Sequence, residues 1–87
     1  MDGRARIAWN LRRLRGARGL AQEALAVDAG VAAPYLSSIE RGLANPTIDV
    51  LDRLAVVLRV DVAEFLVVPD LSLGPPPPLR AGRKPKQ

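Results

Sequence analysis

The chain lacks the two residue types on which many functional sites depend. None of its 87 residues is a cysteine and none is a histidine. Without cysteine it can form neither a disulfide framework nor a thiolate metal site. Without histidine it lacks the commonest general base and the commonest zinc ligand. We therefore expect no catalytic site, no metal and no cofactor.

Long apolar runs and aromatic residues are also scarce. No stretch approaches the ~20 apolar residues that span a bilayer, and no secretory signal opens the sequence. Aromatic residues make up only 3%. A chain this short forms one domain with a small core. We expect a cytoplasmic, nucleoid-associated module that binds a partner, with no role for a membrane or a small-molecule ligand.

The charge of the chain is unevenly distributed. The formal net charge is +4. Residues 1–18 carry six arginines and one acid, residues 19–70 carry eight acids and three arginines, and residues 71–87 carry four basic residues and no acid. Basic ends suit a polyanionic partner, because neutralised phosphates release counterions, although charge runs are also commonly plain solvated surface.

A change in composition divides the chain near Asp70. Four consecutive prolines, Pro75 to Pro78, are followed by a basic segment. A proline run can join neither a helix nor a sheet ladder. We therefore predict a domain over residues 1–70 and a disordered, Pro-rich basic tail over residues 71–87. This tail could contact DNA phosphates, enter a minor groove, or have no role in binding.

Apolar residues recur at the three- and four-residue spacing of amphipathic helices throughout residues 1–70. Glycines follow the first three apolar stripes, where they can end a helix. Thr47 precedes the fourth stripe as an N-cap, and Asp61 with Glu64 resembles a capping box before a fifth. No segment alternates with a period of two. We therefore predict an all-α, five-helix domain with the stripes Ile7-Leu11-Leu14, Leu25-Ala26-Ala29, Leu36-Ile39, Ile48-Leu51-Leu54-Ala55-Leu58 and Val62-Phe65-Leu66.

Residues 22–41 carry the most specific pattern. Two short helices must meet at a sharp angle, which requires a small residue at their crossing, here Ala26, and a glycine in the turn, here Gly30. Leu36 and Ile39 then fill the space between the helices. Together with Gln22, these spacings match a helix-turn-helix unit, whose second helix enters the DNA major groove.

The sequence resembles the Cro and lambdoid-repressor family of bacterial helix-turn-helix regulators, also called the xenobiotic-response-element (XRE) family. The resemblance spans about residues 4–68 and implies a five-helix fold, a homodimer and a partly palindromic operator on double-stranded DNA. Small members of that family include phage repressors and restriction–modification controllers. The matching stretches are Leu11-Arg12-Arg13-Leu14-Arg15, Gly19 to Ala26, Tyr35 to Gly42, Asn45-Pro46-Thr47-Ile48 and Leu54-Ala55.

The resemblance also implies roles for individual residues. Gln22 matches a glutamine that binds a DNA phosphate at the start of the second helix. Arg15 and Glu40 match a partly buried structural salt bridge between the first and third helices. Arg41 and Asn45 match positions near the phosphate backbone, with capping or solvent exposure as the alternative.

The recognition helix, at about residues 33–41, departs from the family pattern. Its outward positions are Ala33, Pro34, Ser37 and Ser38, where family members usually carry Gln, Arg or Lys. Ala33 and Pro34 can make no bidentate contact to a base, so we expect weak sequence discrimination through serine hydroxyls, thymine methyls and DNA shape. Tyr35 either touches the DNA backbone or packs against the turn. A further departure is Ala21, which occupies the usual N-cap position of the second helix.

The last apolar residues suggest a dimer interface. Phe65, Leu66, Val67 and Val68 are more apolar than a small monomer needs, and in the resembled family the fourth and fifth helices often form the dimer contact. We therefore expect these four residues and Val57 to form the interface, or else to complete the core. Trp9 either packs on the last helix or is an exposed anchor. The competing function is a protein-interaction module, such as an antitoxin or polymerase adaptor, with weak DNA binding.

Overall fold

The computed structural model describes residues 1–70 and Ser72, and in this part the chain is helical with no strand. This confirms the all-α class. The predicted basic tail, residues 71–87, lies outside the described residues except for Ser72. The elements are helix α1 (Gly3–Ala17), helix α2 (Gln22–Ala29), helix α3 (Ala33–Glu40), helix α4 (Ile48–Leu58) and a 3₁₀ helix (Val62–Phe65).

The prediction of five α-helices is wrong by one element, because the last is a single 3₁₀ turn. Asp61 caps this turn through a 2.8 Å hydrogen bond that its carboxylate accepts from the Ala63 N–H. The Glu64 N–H then donates to the Asp61 carbonyl, three residues back. Bonds of this spacing define the 3₁₀ helix, which rarely extends beyond four residues. The reciprocal side-chain bond of a capping box is not formed.

The two helices of the predicted helix-turn-helix are the two that begin without a side-chain cap. Helix α1 is capped by Asp2, which accepts from the Ala5 N–H, and helix α4 by Thr47. Helix α2 instead follows Ala21 and helix α3 follows Ala32, neither of which can cap. The first backbone N–H groups of these two helices therefore remain available to other partners.

All four α-helices end in the same way, with a left-handed residue. Gly19, Gly30 and Gly42 hold this conformation after α1, α2 and α3. In each case the next residue's N–H bonds to the carbonyl five residues back, as from Val31 to Ala26 at 2.9 Å, which is the Schellman pattern. Helix α4 ends in this way too, but with Arg59 at φ 59°, the only non-glycine residue with positive φ in the described part.

The core lies where α1 packs on α3 and on the 3₁₀ helix, and where α2 packs on α3 and α4. Its fully buried centre includes Leu11, Leu25, Leu36, Leu54 and Phe65. The five sequence stripes all contribute to this core, except that Ile48 and Leu66 are exposed. These contacts hold the second helix of the motif against the rest of the domain.

Polar side chains of α1 hold the segment that follows the 3₁₀ helix. The fully buried Asn10 donates from Nδ2 to the carbonyls of Phe65 (3.0 Å) and Val67 (2.8 Å). Arg6 donates to the Leu66 carbonyl at 3.2 Å. Residues 65–67 therefore take their position from side chains of a helix far away in the sequence.

Candidate nucleic-acid interface

The turn between α2 and α3 has the geometry that the sequence predicts. Gly30 sits at φ 67° and ψ 36°, a left-handed conformation that residues with a Cβ adopt only at a cost. Ala26 is 2% exposed, so α3 packs closely on α2. From α4, Arg53 donates through Nη1 to the Gly30 carbonyl at 3.2 Å. Sequence reasoning missed this support of the turn, because no local pattern links positions 23 residues apart.

Helix α3 presents a largely apolar edge to solvent. Ala33 and Pro34 are exposed, and Ser37 and Ser38 are half-buried. The opposite side, with Leu36 and Ile39, is at most 1% exposed. This edge offers methyl and methylene groups and two hydroxyls, and no charged or amide group.

Tyr35 is half-buried and packs against the hydrophobic core. This arrangement agrees with the packing alternative that the sequence leaves open, and part of the side chain stays at the surface. A phenol whose ring is anchored in this way can still offer its hydroxyl to a phosphate.

At the start of α2, Gln22 belongs to a chain of buried polar contacts. Its Nε2 donates to Glu40 Oε1 at 3.1 Å. Glu40 in turn accepts from Arg15 Nε at 2.7 Å and from Arg15 Nη2 at 2.8 Å. The structure thus places the expected Arg15–Glu40 pair in a bidentate contact, with each side chain at most 5% exposed. The bond to Gln22 is not evident from the sequence, because its partners lie on different helices.

Arg41 and Asn45 lie at the far end of α3, and both are exposed. Arg41 is the C-cap residue of the helix. Asn45 lies on the following loop, where it lines a shallow depression together with Arg4 at the start of α1. Arg4, which sequence reasoning did not single out, is exposed and adds a basic residue beside Asn45.

One expected site residue is placed elsewhere by the structure. Phe65 is 0% exposed in the core of the monomer, so its side chain cannot form a dimer surface as predicted. Val57 is half-buried against the same core. Leu66, Val67 and Val68 are 43%, 38% and 76% exposed, which keeps them available to a partner.

The sequence model of the helix-turn-helix family designated HTH_3 matches residues 11–65 of the chain. This match contains α2, the turn and α3 complete. The chain belongs to the helix-turn-helix family of XRE-type transcriptional regulators. It is a DNA-binding, bacterial type of regulator and not an enzyme.

Several members of this family are similar to the chain. An uncharacterised HTH-type transcriptional regulator of Sinorhizobium fredii is 41% identical over 70 residues, which cover 80% of this chain and 91% of the relative. The crystal structure of the restriction–modification controller protein C.AhdI from Aeromonas hydrophila superposes with a TM-score of 0.69 at 34% identity, covering 71% of this chain and 94% of that one.

SinR of Bacillus subtilis is a longer relative. It is 43% identical over 61 residues, which cover 69% of this chain and 55% of SinR. The match therefore spans about half of SinR. In the structure of a SinR–SinI complex, the SinR fold superposes on this chain with a TM-score of 0.67.

Within the part of this chain that the structure describes, no helix is long and apolar enough to cross a membrane.

Proposed function

We propose that this helix-turn-helix regulator binds a partly palindromic operator as a homodimer, with α3 of each subunit in a major groove. The observation that carries the proposal is the exposed first turn of α3 at Ala33 and Pro34, held outside the core by the tight turn at Gly30. A helix presented in this way is the element that a helix-turn-helix unit places in the major groove of DNA.

Contacts to the DNA backbone come from both ends of the motif. Gln22 and the free N–H groups at the start of α2 bind one phosphate, where the helix dipole also favours negative charge. The exposed Arg41 and Asn45 bind the backbone beyond the end of α3, and Tyr35 adds its hydroxyl. These contacts fix the register of the protein on the duplex and carry no sequence information of their own.

The side chains that contact the base edges are short. The hydroxyls of Ser37 and Ser38 can bond to several bases, and Ala33 and Pro34 can contact thymine methyl groups. Since no bidentate contact is available at these positions, the operator is discriminated partly by DNA shape. We therefore expect a smaller affinity ratio between operator and random DNA than for family members with glutamine or arginine there.

The second subunit docks on the exposed residues after the 3₁₀ helix, Leu66 to Val68, with Val57 at the margin. Adjacent apolar side chains that a monomer leaves in water are stabilised by burial in a dimer. Val68→Asp should shift the protein toward monomer in sedimentation equilibrium, and Val27→Asp, at a valine of similar exposure (78%) on α2, should not. Equal effects of both substitutions would place the interface elsewhere.

Selection of bound duplexes from a random pool at physiological salt tests the operator. A two-fold symmetric motif with half-site centres about one helical turn apart is expected. Arg41→Gln should weaken binding to all duplexes and lower the salt slope by about two units per dimer, one for each subunit. Arg59→Gln removes the same charge from the end of α4 and serves as the matched control. Enrichment for A·T content alone would contradict an operator-binding dimer.

A second candidate function is that of a protein-interaction module with weak DNA binding. The apolar reading edge of α3 favours it, as does the resemblance to SinR, which is found in complex with SinI. Under this alternative, binding to every duplex is weak and equally sensitive to salt. The selection experiment separates the two, because only an operator-binding regulator retains one preferred sequence over competitor DNA.

A further inference from the structure

The buried carboxylate of Glu40 forms the ion pair with Arg15 and also accepts a hydrogen bond from Gln22, the proposed phosphate contact at the start of α2. Glu40 is shared between two donors, since its Oε1 accepts both from Arg15 Nη2 and from Gln22 Nε2. Its side chain is only 3% exposed, so water offers little competition for either bond. Glu40 therefore does not face DNA itself, but it touches the side chain that is expected to do so.

This contact fixes which way the Gln22 amide points. An ionised carboxylate can only accept hydrogen bonds, so the NH₂ group of Gln22 must face Glu40 and the amide oxygen must face away. One N–H of that NH₂ group is then used and the other remains free. The side chain is held in a single orientation before DNA arrives, with a spare donor beside the backbone N–H groups of the first turn of α2.

The same ion pair also holds the backbone that leads into α2. Arg15 Nη1 donates to the carbonyl of Leu20 at 2.9 Å. Leu20 precedes Ala21, the N-cap residue of α2, whose side chain has no group that can cap the helix. The guanidinium of Arg15 therefore positions the main chain and, through Glu40, the side chain of Gln22.

We propose that Glu40 is a positioning residue for DNA binding, which holds Gln22 ready to donate to a phosphate. The proposal rests on the phosphate contact of Gln22 put forward above. Without Glu40, the Gln22 side chain would have to be ordered when DNA binds. The expected loss is about 3- to 10-fold in DNA affinity, the effect of immobilising one flexible side chain.

The test is a double-mutant cycle that keeps the buried site free of unpaired charge. Arg15→Met with Glu40→Met replaces the ion pair by apolar side chains, a change that buried pairs often tolerate. This double variant, Gln22→Ala and the triple variant are compared with the wild type in binding to mixed-sequence duplex DNA at low salt. Such DNA suffices because a phosphate contact does not depend on sequence.

The expected result is non-additive. The apolar pair weakens DNA binding 3- to 10-fold in the wild-type background and has a clearly smaller effect once Gln22 is alanine, where only the loss of the Arg15 bond to the Leu20 carbonyl remains. Leu51→Val, in the core on α4, controls for loss of stability and should leave affinity unchanged. Equal losses in both backgrounds would reduce the ion pair to a structural role and overturn the proposal. An unaltered affinity of Gln22→Ala would overturn it as well, while DNA binding itself would remain.

A second measurement needs no substitution. The chain has two glutamines, Gln22 and Gln87, so their side-chain NH₂ signals are readily distinguished by NMR. In the free wild-type protein, ¹⁵N relaxation should show the Gln22 side chain to be as ordered as the backbone of α2. A Gln22 amide that rotates freely before DNA is added would refute positioning by Glu40, whatever the apolar variant does.

Discussion

The bonds of Asn10 predict a large and specific loss of stability when its amide is removed. Two donor bonds, to the carbonyls of Phe65 and Val67, disappear in Asn10→Ala. Each contributes about 1 kcal/mol net, and a buried carbonyl left without a donor adds ~1–3 kcal/mol. The Asn10 side chain and its bond to Phe65 are fully buried, so water cannot replace the amide there, whereas the bond to Val67 is only partly buried. We expect a loss of about 2–4 kcal/mol, a large part of the ~4–10 kcal/mol typical of a domain this size.

Asn10→Asp separates hydrogen bonding from packing. This substitution keeps the shape of the side chain and the oxygen that accepts from Arg13, but it replaces the donor Nδ2 by an oxygen that faces two carbonyl oxygens at neutral pH. It should therefore destabilise at least as much as Asn10→Ala. As the pH falls and the introduced carboxyl binds a proton, its hydroxyl can donate to one carbonyl, so part of the lost stability should return.

Urea unfolding followed by the fluorescence of Trp9, the neighbouring residue and the only tryptophan, gives the free energies. Asn45→Ala, at an exposed asparagine, is the control and should change stability by less than about 0.5 kcal/mol. If Asn10→Asp were as stable as the wild type at neutral pH, the two donor bonds would contribute nothing, and the reasoning would fail.

Three further predictions concern the ends of helices and of the chain. Ala21→Ser supplies the missing N-cap of α2, so the melting temperature should rise by about 4–8 °C in calorimetry, and an unchanged value would show that its first N–H groups already have partners. Arg59→Gly relieves the left-handed conformation after α4, and urea unfolding should show a gain of about 0.5–1 kcal/mol, whereas Gly30→Ala should lose stability. Truncation after Leu73 removes four basic residues from each subunit and should lower the salt slope of DNA binding by up to ~3.6 per subunit, or ~7 per dimer. An unchanged slope would mean that these charges do not reach the phosphates.

Features that depend on neighbouring residues could be predicted from the sequence. The left-handed turn at Gly30, the N-cap at Thr47 and the apolar stripe of α4 are all local, and each appears where the spacing predicts it. The sequence predicts a fifth helix where the structure has a single 3₁₀ turn, because so short an apolar stripe does not distinguish an α-helix from a 3₁₀ helix. Only the hydrogen bonds between Asp61, Glu64 and their neighbours decide that point.

Features that depend on tertiary contacts could be predicted less well. The exposed positions of α3 follow from helical periodicity, whereas the bond from Gln22 to Glu40 depends on how two helices cross. For Phe65 the sequence leaves a dimer interface and the core as alternatives, since composition cannot distinguish a core residue from an interface residue, and the structure places it in the core. Asn10 did leave a signal, because it lies on the apolar stripe between Ile7 and Leu11. A polar residue at such a position indicates a buried hydrogen bond.

The attachment of residues 65–67 to α1 sets the shortest unit that can be transplanted into another protein. The family match ends at residue 65, but the Val67 carbonyl still bonds to Asn10 and Pro69 is buried. A fusion joined at residue 65 would remove the Val67 carbonyl, which accepts one of the two hydrogen bonds of the Asn10 NH₂ group, and the buried Pro69. Chimaeric regulators built from this domain should therefore keep the native chain through Asp70 and place any linker after it.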